Sequence, residues 1–275
     1  MMRLACAALG GASILALAAP AQADDTAVLK AQVAALQARL DQDETRLTRQ
    51  EDIEKVRVVA FSYGDYMDNA MYDQVLSLFS PDIESCEIAG YGVFKGHAGC
   101  DRLWNIGMGA TYGGATNSLA FGHLAKHYLV KDVISIAPDG LHAHGRFDYI
   151  GYGATLGKPE SVHNQLGVYN FDFTKEDGIW KISKFRLVFD TINFNYRDWT
   201  SNPGLRCLRP ATKPDAPSMH HPFPETAVTA FHDPNPVTGL PIPEHVTDTH
   251  YWQGNWPGEW GGECGRRPDA PTAAK

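Results

Sequence analysis

An α+β fold, with a curved antiparallel sheet wrapped around N-terminal helices, is predicted by three observations. Between Glu51 and Phe79 the apolar residues recur with helical spacing. After Gly113-Gly114 the period changes to two over four segments rich in Val, Ile, Phe and Tyr, namely His127 to Ile136, Leu141 to Tyr152, Val162 to Phe173 and Trp180 to Ile192. Beyond Trp199 both periods vanish. Helices followed by a meander are the α+β order, and a curved sheet of this kind leaves a cavity at its wide end.

The elements follow in chain order. Met1-Met2-Arg3, an apolar and small run to Ala19, and Ala21-Gln22-Ala23 read as a secretory signal peptide, residues 1–23, cleaved after Ala23. The run is too short for a spanning helix, so stable membrane insertion is not expected. A leader helix is expected over 24–48, where Leu29, Val33, Leu36, Leu40 and Leu47 form an a/d seam interrupted by Asp43. Either a coiled coil or a single amphipathic helix fits that seam. A core of residues 49–199 opens with a helix from Glu51 to Asp68 and a second from Tyr72 to Phe79, stopped by Ser80-Pro81-Asp82. One strand is expected from Glu84 to Phe94 and a helix from His97 to Met108. Pro138-Asp139-Gly140 and Glu176-Asp177-Gly178 are turns of the meander. Residues 200–275 form a long irregular tail that holds 13 of the 17 prolines together with Phe223, Phe231, Tyr251, Trp252, Trp256 and Trp260. So many aromatics argue for an extended segment wrapping the core or a neighbouring subunit rather than for full disorder.

Charge and cysteine content narrow the function classes. The net charge of −8 becomes −9 once Arg3 is removed, and no basic stripe for nucleic acid is present. Export, to the periplasm or the medium, permits disulfides among Cys86, Cys100, Cys207 and Cys264. Closing the long loop between Cys207 and Cys264 is the favoured pairing, with Cys86 and Cys100 equally readable as buried thiols. Motifs for a nucleophilic serine, a dinucleotide, a P-loop or H-E-x-x-H zinc are missing. His142 and His144 share a strand face, but no third ligand is compellingly placed beside them, so no metal is assigned.

Several spaced motifs carry a family likeness. Tyr63-x-x-x-x-Asp68, Leu78-Phe79-x-x-Asp82, Gly90-x-x-x-x-Lys95-Gly96, His127-Tyr128, Gly167-Val-Tyr-Asn-Phe-Asp-Phe and Asp177-Gly-Ile-Trp-Lys-Ile-Ser-Lys184 resemble the SnoaL-like branch of the nuclear transport factor 2-like superfamily, from about Arg49 to Phe194. Within it the pattern is similar to hexachlorocyclohexane dehydrochlorinase and, more distantly, to scytalone dehydratase and diarylpropane lyase. The resemblance implies a cone-shaped α+β barrel with an apolar pocket in which a His-Asp pair performs eliminations without a cofactor. It places the acid at Asp68 and the base at His127. Lys131 stands where the family often has Asn.

Elementary chemistry leads to the same pair. A carboxylate bonded to one imidazole nitrogen fixes the tautomer and readies the other to take a proton. Taken without the resemblance, the more usual reading is that Asp68 closes a surface turn and His127 is a hydrogen-bonded strand residue. Tyr63 joins them as a candidate acid. Tyr91, Tyr112, Tyr128, Arg146, Asn164 and Tyr169 are candidates for holding substrate. The expected function is a cofactor-independent lyase, a dehydratase or a deformylating elimination, acting on a small apolar, aromatic or lignin-derived molecule. A homo-oligomer, dimer or trimer, is expected. A non-catalytic binding or assembly module, or a ketosteroid-isomerase-like isomerase, is the alternative.

Overall fold

A computed structural model describes residues 19–89, 91–113, 117–194, 212–216, 218, 220, 227–228, 231–242 and 245–246. Residues 1–18, part of the segment 1–23 expected as a signal peptide, and Cys207 and Cys264 lie outside these. None of the helices among the described residues is long and apolar enough to cross a membrane. Contacts divide the chain into two compact units, residues 1–48 and 49–275.

Helix α1 covers Ala19–Asp68. The leader and the first core helix, expected as two, are one element: Thr48-Arg49-Gln50-Glu51 has the spacing of a capping box, but no glycine or proline interrupts the run and the helix continues through it. Its end is sharply defined. Ala70 takes the left-handed conformation at φ 52°, its N–H bonds the Met67 carbonyl, and the Met71 N–H bonds the Tyr66 carbonyl. This double closure caps a helix end, a position that usually falls to glycine. Here the methyl of Ala70 is completely buried. Asp68 is therefore the last helical residue.

Short helix α2 (Tyr72–Ser77) leads to a hairpin of β1 (Ser85–Ile88) and β2 (Gly92–Lys95). The single strand expected from Glu84 to Phe94 is thus two, because Gly92 at φ 116° lets the chain reverse. Helix α3 (Gly96–Asp101), a π-helical turn over Arg102–Met108 and α4 (Gly109–Tyr112) replace the uniform helix expected from His97. The meander follows as β3 (His123–Ile136), β4 (His142–Thr155), β5 (Lys158–Glu176) and β6 (Ile179–Phe194). Asp177 and Gly178, both with positive φ, make the two-residue β5–β6 turn.

The six strands are ordered β2-β1-β6-β5-β4-β3. Every pair is antiparallel except β1 with β6, so the sheet is mixed. It curls strongly around the helices, giving the α+β cone. Its interior is aromatic: Tyr63 from α1 meets Trp104, Tyr169, Phe171 and Phe185 with ring centroids 5.2–6.0 Å apart. Edge-on and tilted contacts of this kind add to the burial of large rings.

Polar links fasten the core segment of α1 and the tail to this cone. Arg57 bonds Asp132 of β3 at 2.9 Å, and Arg49 donates to the Ile136 carbonyl. Asp52 accepts from Lys175 at 2.8 Å and from the Trp180 indole at 3.0 Å. Tail residues 214–216 lie along β2: the Val93 N–H donates to the Ala216 carbonyl and the Asp215 N–H to the Val93 carbonyl, each at 2.8 Å. The Asp215 carboxylate takes hydrogen bonds from Arg102 and from the Lys95 N–H. Two further strands, β7 (Ala227–Val228) and β8 (His245–Val246), pair with each other.

Cys86 and Cys100 form a disulfide between β1 and α3. The thiol reading of this pair is corrected: both residues are fully buried, and the β1–β2 hairpin returns the chain to within 5.5 Å at the Cα atoms. Closing a loop of 14 residues restricts the unfolded chain by about 3 kcal/mol. Cys86→Ser with Cys100→Ser is expected to lose about that much stability in urea unfolding. An unchanged midpoint would show that the crosslink does not constrain the unfolded chain.

Candidate active site

The end of α1 faces β3. A Cβ on Gly64 would lie 3.0 Å from the His127 carbonyl oxygen and 3.1 Å from Leu129, so the bare glycine lets helix and strand approach this closely. One helical turn later the Asp68 carboxylate reaches β3. Its Oδ1 accepts the His127 backbone N–H at 2.6 Å and contacts the His127 Nδ1 at 3.0 Å. Its Oδ2 accepts from Lys126 Nζ at 2.8 Å.

The electrostatics of this carboxyl have opposing causes. Burial alone would raise its pKa, but the hydrogen bonds and charges of His127 and Lys126 hold it below the ordinary value. Asp68 is thus an ionised acceptor, so His127 Nδ1 carries the proton. The Nε2 lone pair is left on the opposite side of the ring.

His127 lines a cavity inside the cone with Tyr63, Tyr91, Tyr112, Tyr149, Tyr169, His163 and Gln165, walled by Met67, Ile88, Trp104, Met108, Leu187 and Phe189. The cavity encloses about 60 Å³, well under the roughly 300 Å³ of a typical small-molecule site. Leu124 and Tyr152, each about half exposed, stand at its rim. Burial pushes the Tyr63, Tyr91, Tyr149 and Tyr169 phenols well above the ordinary range. They remain protonated donors. Tyr149 stacks on the His127 ring at 5.6 Å and donates to Gln165 Oε1 at 2.6 Å. The fully buried Tyr63 hydroxyl, beside Tyr169, makes no hydrogen bond of good geometry.

Of the residues singled out in the sequence, Asp68 and His127 are brought into contact, and Tyr63, Tyr91, Tyr112 and Tyr169 line the same cavity. Tyr128, Arg146 and Asn164, expected as substrate contacts, do not line it. Strand alternation explains all three, since their neighbours His127, Phe147, His163 and Gln165 occupy the inner face. Arg146 instead lies 4.4 Å over the Phe231 ring of the tail. Lys131 sits at φ 49° in the irregularity of β3 between Val130 and Val133 and pairs with Asp148.

Four residues escape sequence reasoning. Lys126, Tyr149 and Gln165 carry no motif. His163 is legible only once its strand face is known; it lies four residues before Gly167, the nearest position of the likeness. Its Nδ1 donates to the Ser161 carbonyl at 2.7 Å, and burial lowers its pKa. The ring overlies Gly153 so closely that a Cβ there would fall 2.2 Å from it.

The histidine pair considered for metal is separated in function. His142 bonds Asp139 and His144 bonds Asp172. His144, Asp172 and His232 do cluster on the outside of the sheet. But the two rings stack at 4.1 Å with planes 9° apart. Imidazole lone pairs lie in the ring plane, so rings in this arrangement cannot both aim at one ion.

The SnoaL-like domain model matches residues 48–186. No curated protein sequence matches the chain. Solved structures similar to it include LinA, at TM-score 0.46 and 18% identity over 54% of this chain and 92% of that one. Hexachlorocyclohexane dehydrochlorinase LinA-type3 from Novosphingobium barchaimii LL02 is similar at 0.45 and 18%, over 54% and 93% of the two chains. A scytalone dehydratase-like protein from Novosphingobium aromaticivorans DSM 12444 is similar at 0.44 and 17%, over 59% and 95%.

Proposed function

We propose, from the premise that this chain belongs to the SnoaL-like domain family, that it is a cofactor-independent lyase acting on a small, largely apolar aromatic molecule. One observation carries the reading: an imidazole held at 3.0 Å by an ionised carboxylate lines a cavity whose other walls are mostly aromatic and apolar. The proposed substrate class, phenolic and lignin-derived molecules, rests on the phenol and indole walls.

In a dehydration, His127 Nε2 takes a proton from carbon, the C–H electrons form the new double bond, and the neighbouring C–O bond breaks. Asp68 stabilises the imidazolium. The imidazolium then returns its proton to the departing oxygen, which leaves as water. Tyr63 donates a hydrogen bond to that oxygen and, with its pKa raised by burial, keeps its own proton. In the deformylating variant the phenol proton and the benzylic hydroxyl first leave together as water, giving a quinone methide. His127 then takes the proton of the neighbouring primary hydroxyl, the C–C bond breaks, formaldehyde departs, the released electron pair forms the new C=C bond as the ring regains its aromaticity, and the phenolate oxygen takes the proton back from the imidazolium. His163 Nε2 accepts a hydrogen bond from a substrate hydroxyl. Admission of a ring requires Leu124 and Tyr152 to swing from the rim.

Export to an oxidising compartment belongs to the same proposal, and the Cys86–Cys100 disulfide supports it.

The test is incubation with phenolic monomers and dimers, followed by product mass. Loss of water or of formaldehyde supports a lyase; a product of unchanged mass makes the protein an isomerase, and binding without turnover makes it a carrier. Gly153→Ala probes the role of His163. The new methyl must turn the ring, so a rise in KM of about tenfold is expected, the worth of roughly 1.4 kcal/mol of lost hydrogen bonding. Unchanged KM would exclude His163 from substrate binding.

A further inference from the structure

Between Asp25 and Leu47, α1 carries an apolar seam that its own unit leaves in water. Leu29, Val33, Leu36, Leu40 and Leu47 are 60, 59, 67, 55 and 60% exposed. Their spacings of four, three, four and seven fit one heptad frame only, with Thr26, Val33, Leu40 and Leu47 at a and Leu29, Leu36 and Asp43 at d. A lone helix gains nothing from such a stripe, since the apolar face stabilises only when covered.

We infer that this segment is a docking surface for a second copy of the same chain, in a parallel, in-register, two-stranded coiled coil. The charges flanking the seam select that partner. In this frame Asp25 and Arg39 stand at g, and Lys30 and Glu44 at the e positions five residues later. In a parallel pair each g residue meets the partner's e residue of the next heptad. Asp25 then faces Lys30 and Arg39 faces Glu44, both attractive; Gln32 facing Gln37 is neutral. In the first two heptads β-branched Thr26 and Val33 at a with Leu29 and Leu36 at d favour two strands over three; Leu40 and Leu47 at a add no such preference. Asp43 is the one charge in the seam. Arg46 of the same helix holds it at 3.1 Å, which offsets the meeting of two carboxylates, and a polar residue at one seam position fixes the register.

Leu29→Cys in the full chain tests the geometry. Two d-position thiols meet only in a parallel, in-register pair, so mild oxidation is expected to give a reducible dimer. Ala31→Cys, one turn face away at f, should give at least tenfold less, after subtraction of any dimer formed by the parent chain. Adding Leu36→Glu to Leu29→Cys should abolish the link while circular dichroism in the near ultraviolet, which reports the aromatic cone, stays unchanged. The inference is overturned by equal linking at 29 and 31, by a link that survives Leu36→Glu, or by sedimentation showing the parent chain to be a monomer throughout a concentration series. Sedimentation at three copies, lost on Leu36→Glu, would overturn the two-stranded assignment.

Discussion

His127→Ala is expected to lower kcat by roughly 10²- to 10⁴-fold, the usual contribution of a positioned general base, while the unfolding midpoint stays near that of the parent. The ring is partly exposed and its neighbours on the inner face are the walls of an existing cavity, so truncation enlarges a space instead of emptying packed core. Asp68→Asn should act through the tautomer. An amide can still accept the His127 backbone N–H, but it no longer compels Nδ1 to carry the proton, nor does it stabilise the imidazolium. A loss of about 10²-fold or more is expected. Its partner Lys126 then keeps a charge without a counterion, yet at 42% exposure water screens it. Turnover of either variant within tenfold of the parent, on a substrate the parent converts, would remove the dyad from the mechanism.

Asp52→Ala is expected to be the largest single loss of stability, about 3 kcal/mol in urea unfolding. Its side chain is 3% exposed, and its removal leaves the buried Trp180 N–H and the mostly buried Lys175 ammonium without their acceptor. Burial would raise the Asp52 pKa, but hydrogen bonds from Lys175 and Trp180 with the charges of Lys175 and Lys55 bring it below the ordinary 3.8. A carboxyl depressed in the folded state contributes stability that is complete above its unfolded value and lost as pH falls through the folded one. The gap between parent and variant should therefore be constant from neutrality to about pH 5 and shrink in more acid solution. A gap independent of pH down to full protonation would mean that packing, not the charge, accounts for the loss.

How much of this could be read from the chain depends on the range of the interaction. The four long strands follow from local alternation, and the Asp177-Gly178 turn from its residue types. The continuity of α1 across Thr48 is not legible in the apolar pattern, which loses its rhythm there, although the contact units do divide at that point. β1 and β2 were read as one strand because the reversal depends on the positive φ of Gly92, which the apolar pattern does not encode. The parallel β1–β6 pairing depends on contacts nearly a hundred residues apart. At the site, Asp68, His127 and four tyrosines were recognisable from motif and residue type. Arg146, Asn164 and Tyr128 stand one residue out of phase with the face that lines the cavity. His163 and Lys126 gain their meaning only from cross-strand neighbours.

The tail segment at residues 214–216 has a consequence for anyone shortening the protein. By bonding Val93 in both directions it covers the outermost strand of the sheet, and with Asp215 it neutralises Arg102. Cutting the chain at residue 199 to isolate the cone would bare the Val93 N–H and carbonyl and the Lys95 N–H. Such a margin recruits strands from other molecules, so the trimmed protein is expected to aggregate more readily than the whole chain.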